Sequence, residues 1–131
     1  MFETKYRIYL IRIKKLKNVY FLGYRKYKSL PSYCAYFDVA WLPLIHNNYT
    51  KSMFPMKFFE YLAAGLPVVS TDLESIREYG KLVAVSDDIS KIKISIIEAL
   101  KNKNSNLKNR LSLAMENTYQ KRTKKMLMEL N

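Results

Sequence analysis

Residues 55–71 read PMKFFEYLAAGLPVVST (Pro55–Thr71), and this stretch decides the fold. Proline suits the opening of a helix, because its fixed φ fits the first turn and its missing N–H would have no partner there. Helix-forming and aromatic residues run from Met56 to Ala64, and Gly65 stands where a left-handed terminating residue belongs. Pro67-Val68-Val69-Ser70 follows at once as an apolar, β-branched run, the composition of a buried strand. A helix that stops on glycine and returns directly into a buried strand is half of the repeating unit of a parallel α/β sheet.

The flanking sequence extends that unit in both directions. Asp38-Val39-Ala40-Trp41-Leu42 reads as a strand stopped by Pro43, and Leu44–Phe54 as a polar, irregular loop. Farther upstream, Tyr6, Tyr9, Leu10, Ile13 and Leu16 form one apolar helical stripe ending near Lys17. Val19-Tyr20-Phe21-Leu22, closed by Gly23, reads as another strand, and Leu30-Pro31 opens a helix that continues through Tyr33, Cys34 and Phe37. Downstream, Thr71 or Asp72 is expected to cap a helix over Leu73–Tyr79, before a strand at Leu82–Val85. Asp87 or Asp88 then caps a longer helix with Ile89, Ile92, Ile96, Ile97 and Leu100 on one face. After a loop at Asn102–Asn106, helices over Leu107–Asn117 and Tyr119–Leu130 complete the chain. The expectation is an α/β fold: a Rossmann-like parallel sheet of about four strands with flanking helices.

At 131 residues, 49% apolar and 26% charged, the chain is long and apolar enough for one cored domain, which excludes the disordered class. Its lone cysteine, Cys34, excludes an intrachain disulfide or a cysteine zinc cluster and fits a reducing, cytoplasmic setting; it reads as a small core residue. Neither a membrane-spanning run nor a signal peptide is read from the sequence. The net charge of +12 is uneven: residues 1–30 carry +8, residues 31–100 carry −2 and residues 101–131 carry +6. A uniformly basic nucleic-acid binder is not built this way, so nucleic acid is not expected as a partner; the two basic ends suit an anionic membrane leaflet. The eleven tyrosines do not revive the nucleic-acid reading, since positions such as Tyr9, Tyr20 and Tyr36 are read as packing residues.

Chemistry is expected at the start of the Pro55–Thr71 segment. A loop leaving the carboxyl end of a parallel strand and entering a helix presents backbone amides in the crevice where α/β sheets bind ligands, a position suited to phosphates. Glu60 lies on the same helix, within reach of sugar hydroxyls while the amides hold a phosphate. The blander readings are a solvated Glu60, an ion pair from Lys57 to Glu60 worth about 0.2–0.5 kcal/mol, and Ser52 as a cap for the helix beginning near Pro55. His46, the single histidine, reads as solvent-exposed, with no carboxylate cluster near it in sequence and no metal site implied.

Taken in order, NVYFLGY (Asn18–Tyr24), LPSYCAYFDVAWLPL (Leu30–Leu44), PMKFFEYLAAGLPVVST (Pro55–Thr71) and AMENTYQKR (Ala114–Arg122) resemble the C-terminal, nucleotide-sugar-binding half of a GT-B-fold glycosyltransferase of group 1, the retaining family 4. The NNYTKS run before the main segment resembles the subgroup that assembles bacterial surface polysaccharides and cell-wall glycans. The resemblance implies that Glu60 binds the ribose hydroxyls of a nucleotide-diphosphate sugar. It implies that Ser52, Met53, Phe54 and Pro55 form the loop at the donor phosphates and sugar, that Lys57 neutralises phosphate charge, and that Gly23, Tyr24 and Arg25 lie near the nucleobase. Where the family often has a second glutamate, eight positions before Glu60, this sequence has Ser52. No cofactor or metal is implied, and no catalytic residue is assigned.

The family's acceptor-binding N-terminal domain has no counterpart in these residues. Residues 1–131 are therefore read as a single, N-terminally truncated nucleotide-sugar-binding domain, with residues 105–131 as its C-terminal helices. Such a chain is expected to act with a partner that supplies the missing domain, on a glycan or lipid-linked acceptor at the inner face of the membrane, and to have little activity by itself. The alternatives are a non-catalytic remnant or partner subunit and, less favoured, a small basic nucleic-acid-binding protein.

Overall fold

A computed structural model describes residues 11–129, so Tyr6, Tyr9 and Leu10 of the first expected helix lie outside the described residues. The chain divides into two compact units, residues 1–30 and 31–131.

In the first unit, residues 11–14 are helical and a 3-10 turn spans Tyr27–Ser29. Between them Val19–Leu22, expected as a strand, has no regular structure, and Tyr20, Phe21 and Leu22 are exposed. Lys14 places its ammonium 5.7 Å from the centroid of the Phe21 ring, so this apolar run is covered in part by a cation and not by a β-ladder.

After helix α1 (Leu30–Cys34), the second unit runs β1 (Ala40–Leu42), α2 (Asn48–Lys51), α3 (Lys57–Ala63), β2 (Val68–Ser70), α4 (Glu74–Arg77), β3 (Val83–Val85), α5 (Ile89–Lys101), α6 (Leu107–Glu116) and α7 (Tyr119–Glu129). The sheet has three strands, all parallel, in the order β1-β2-β3, with Ala40 opposite Val68 and Val68 opposite Val83. The α/β class and the parallel sheet are as the sequence implies; among the described residues the sheet has three strands and not about four, Val19–Leu22 forming none.

The central strand β2 is buried along its whole length: Val68 and Val69 are apolar on opposite faces, and the buried Ser70 hydroxyl donates to Leu42 O at 3.4 Å. Phe58 and Leu62, four residues apart on α3, are fully buried against it with Leu73 and Ile76. Each such side chain contributes on the order of 1.5–3 kcal/mol by leaving water. Helix α6 packs on α3, and α5 lies along β2 and β3. Within α5, Ile92 and Ile96 are half-buried, whereas Ile89, Ile97 and Leu100 are exposed, so the apolar face is narrower than the sequence pattern implies. Cys34 packs against the core as expected, but Tyr20 and Tyr36 are exposed and not core residues.

Gly65 ends α3 with φ +76°, and a Cβ there would stand 2.8 Å from Leu107 Cδ1. Its carbonyl accepts from Arg110 Nε (3.1 Å) and Nη2 (3.0 Å). Arg110 also donates to the carbonyls of Lys103 and Ser105 while only 3% exposed. One buried guanidinium thereby ties the end of α3, the loop after α5 and α6 together. Burial draws its pKa down from the ordinary value, and it remains charged.

Of the two expected side-chain caps, one is present and one is not. Asp88, not Asp87, caps α5, accepting from the backbone N–H of Ser90 (2.8 Å) and Lys91 (3.2 Å). Neither Thr71 nor Asp72 caps α4, whose N-cap is Leu73 without a side-chain bond; both polar side chains have partners elsewhere.

Candidate functional site

Because the strands are parallel, Leu42, Ser70 and Val85 all end at one edge of the sheet, and the loops that leave them share that edge. The longest is the β1–α3 connection. Thr71, just past β2, anchors its root: the hydroxyl donates to Leu44 O (2.8 Å) and accepts from Leu44 N–H (3.1 Å). The next segment, expected to be irregular, contains helix α2. Asn47 Oδ1 accepts from Thr50 N–H (2.8 Å) while Thr50 Oγ1 accepts from Asn47 N–H (2.9 Å), a reciprocal capping box whose spacing is visible in the sequence.

Ser52 ends α2, donating its N–H to Tyr49 O, so it does not cap the helix after Pro55. Met53 O accepts from Ser75 Oγ (3.0 Å), which ties the loop to α4. Phe54 stacks on Phe59 with ring centroids 5.0 Å apart and meets Phe58 and Tyr79 edge-on. The Arg122 guanidinium of α7 sits 5.4 Å from the Phe54 centroid and 5.6 Å from that of Phe59. Pro55 is buried. The backbone from Met53 to Pro55 is thus held by α4, by the aromatic cluster and by α7. Burial of Tyr79 in this cluster, with a hydrogen bond to Glu78, raises its pKa above the ordinary tyrosine value.

Lys57 Nζ lies 2.6 Å from Glu60 Oε2, with the glutamate side chain 30% exposed and the lysine 47% exposed. The ion pair is present, and both groups remain open to solvent. Gly23, Tyr24 and Arg25 belong to the 1–30 unit. There Gly23 has φ +67°, Tyr24 is exposed, and Arg25 Nη1 donates to Tyr24 O (2.9 Å).

The structure adds one group that the sequence did not bring together. Asp87, two residues past β3, places Oδ1 2.9 Å from His46 Nε2 and accepts the N–H of Asp72, two residues past β2, at 2.9 Å on the same oxygen. Asp72 in turn holds Arg77 through contacts of 2.6 and 3.0 Å. The hydrogen bond to His46, then that from Asp72 N–H, holds the Asp87 carboxyl below its ordinary pKa. His46 is exposed as expected, but it has a carboxylate partner 41 positions away. Among the described residues no group of three or more His, Cys, Asp or Glu is placed to hold a metal ion, and no helix is long and apolar enough to cross a membrane.

The carboxyl edge of this parallel sheet therefore carries a fixed loop, a helix start and the half-buried Glu60. The chain belongs to the glycosyl transferases group 1, whose family profile matches residues 4–102. A relative from Bacillus subtilis (strain 168), named as a candidate teichuronic acid biosynthesis glycosyltransferase, TuaH, is 39% identical over 67 residues. That match covers 51% of this chain and 17% of the relative, so the chain spans well under two thirds of the protein it resembles. No solved structure matches.

Proposed function

We propose that this chain binds the nucleotide-diphosphate sugar of a group 1 glycosyl transfer, along the face formed by Ser52, Met53, Phe54, Pro55, Lys57 and Glu60. The observation that carries the reading is the Met53–Glu60 segment itself: a loop held at the carboxyl edge of the sheet runs into a helix that carries a half-buried, solvent-accessible carboxylate one turn in. The Glu60 carboxylate accepts hydrogen bonds from ribose hydroxyls, and Lys57 exchanges its contact with Glu60 for the diphosphate. As the glycosyl–oxygen bond breaks, negative charge grows on the departing diphosphate, where the lysine and the oriented loop dipoles stabilise it.

The acceptor is a glycan or a lipid-linked sugar, reached at the inner face of an anionic membrane. A surface-polysaccharide product follows the TuaH relative, which is named for teichuronic acid biosynthesis. A further chain or domain supplies the acceptor site. Titration of the folded chain with uridine, guanosine, adenosine, cytidine and thymidine diphosphates tests the donor reading. At least one binds saturably, and Glu60→Ala weakens it about tenfold, the loss expected for a charge-assisted hydrogen bond of about 1.5 kcal/mol. A folded chain that binds none of them sinks the reading.

A further inference from the structure

We propose that His46 reads a hydroxyl of the transferred sugar through its Nδ1, with Asp87 as its positioning residue; the inference rests on the donor-binding reading above and deepens it. The argument starts from hydrogen-bond chemistry. Asp87 Oδ1 already accepts the Asp72 N–H, and the carboxyl is held below its ordinary pKa, so near neutrality it is ionised and can only accept. The hydrogen between Asp87 and His46 therefore sits on Nε2. In the neutral ring this leaves Nδ1 as a lone-pair acceptor, and among the described residues His46 makes its hydrogen bond through Nε2 alone.

An oriented ring acceptor selects its ligand. Diphosphate oxygens offer no hydrogen to it, whereas sugar hydroxyls do, so of the two ends of the donor Nδ1 suits the sugar. Placement agrees. His46 leaves β1, Asp72 leaves β2 and Asp87 leaves β3, so one carboxylate links all three loops at the edge where parallel sheets take ligands. The loop that carries His46 continues directly into Ser52–Pro55. Arg77 is held by Asp72, which braces the Asp72 backbone that in turn holds Asp87.

The test compares a nucleoside diphosphate with its hexose esters on the same protein. Using whichever diphosphate binds, with its glucose, N-acetylglucosamine, galactose and mannose derivatives, His46→Ala weakens the preferred sugar ester about three- to tenfold, as expected for one neutral hydrogen bond. It leaves the bare diphosphate unchanged. Asp87→Ala acts in the same direction, and Asp87→Asn, which keeps an oxygen acceptor for Nε2–H, restores part of the affinity. Glu60→Ala, by contrast, weakens diphosphate and sugar ester alike. Circular dichroism confirms that each variant is folded. If His46→Ala leaves the sugar ester's affinity unchanged, or weakens the ester and the bare diphosphate equally, the sugar-reading role is overturned while the donor reading stands. If the unsubstituted chain binds no diphosphate and no ester, the donor reading fails and this inference fails with it.

Discussion

Arg110 and Asp87 are each a single charged side chain tying three segments together, at opposite edges of the same sheet. Arg110 sits beside the turn that leads into the amino end of β2 and holds three carbonyls, Gly65, Lys103 and Ser105, almost out of contact with water. Asp87 lies beyond the carboxyl end of β3, holds His46 and the Asp72 N–H, and has a side chain 53% exposed. A buried guanidinium has little access to anything but its carbonyls. A half-exposed carboxylate holds its partners in reach of a ligand. The amino edge is therefore closed to solvent and the carboxyl edge open to it, and each prediction below acts on one of them.

The largest effect belongs to the buried hub. Arg110→Met removes the guanidinium donors from three carbonyls, those of Gly65 and Lys103 lying 2.6–3.1 Å from it, and costs about 3 kcal/mol in denaturant unfolding. Arg110→Lys recovers only part, since a point-like ammonium cannot span the fork. A loss below about 1 kcal/mol for Arg110→Met would show that the amino edge does not depend on this residue.

Next comes Gly65→Ala, where a positive φ of +76° and the contact with Leu107 Cδ1 act together. A cost of about 1–2 kcal/mol is expected from the backbone conformation. Pairing it with Leu107→Ala in a double-mutant cycle separates the collision from the backbone part, because only the collision is relieved. Arg122→Ala follows at about 0.5–1 kcal/mol for a cation on aromatic rings at a partly exposed site. Its loss also loosens Phe54, and on the proposed donor-binding reading a titration of Arg122→Ala with the nucleoside diphosphate shows affinity falling more than stability does.

How these hubs come about explains what could be read in advance. The Pro55–Ser70 unit was legible because its signals are local: a spaced apolar face at Phe58 and Leu62, a glycine stop and a β-branched run. Val19–Leu22 carries an equally apolar local signal and forms no strand, because a strand exists only where a neighbouring ladder takes up its backbone groups. Glu60 and Lys57 are three residues apart on one helix, so their pairing is a local property too. His46 and Asp87 are separated by 41 positions and meet only after parallel pairing has aligned the strand ends. Arg110 looks in sequence like any basic residue of a polar helix, and nothing there shows that Gly65 O lies beneath it.

The smallest effect is the one that separates the two edges most cleanly, through pH. The folded Asp87 carboxyl titrates below its ordinary 3.8, so its contribution to stability is fully present above that value and is lost as pH falls through the folded pKa. Protonation weakens the hold on His46 and on the Asp72 N–H at the carboxyl edge, while the Arg110 guanidinium stays charged throughout and keeps the amino edge intact. Comparing urea midpoints of the parent chain and Asp87→Asn between pH 6 and about 2.5 isolates this contribution. The parent is the more stable at the upper end, and the difference closes on acidification. A difference that holds constant across the range would mean that Asp87 acts through its shape and not its charge, and that the carboxyl edge is held as statically as the amino edge.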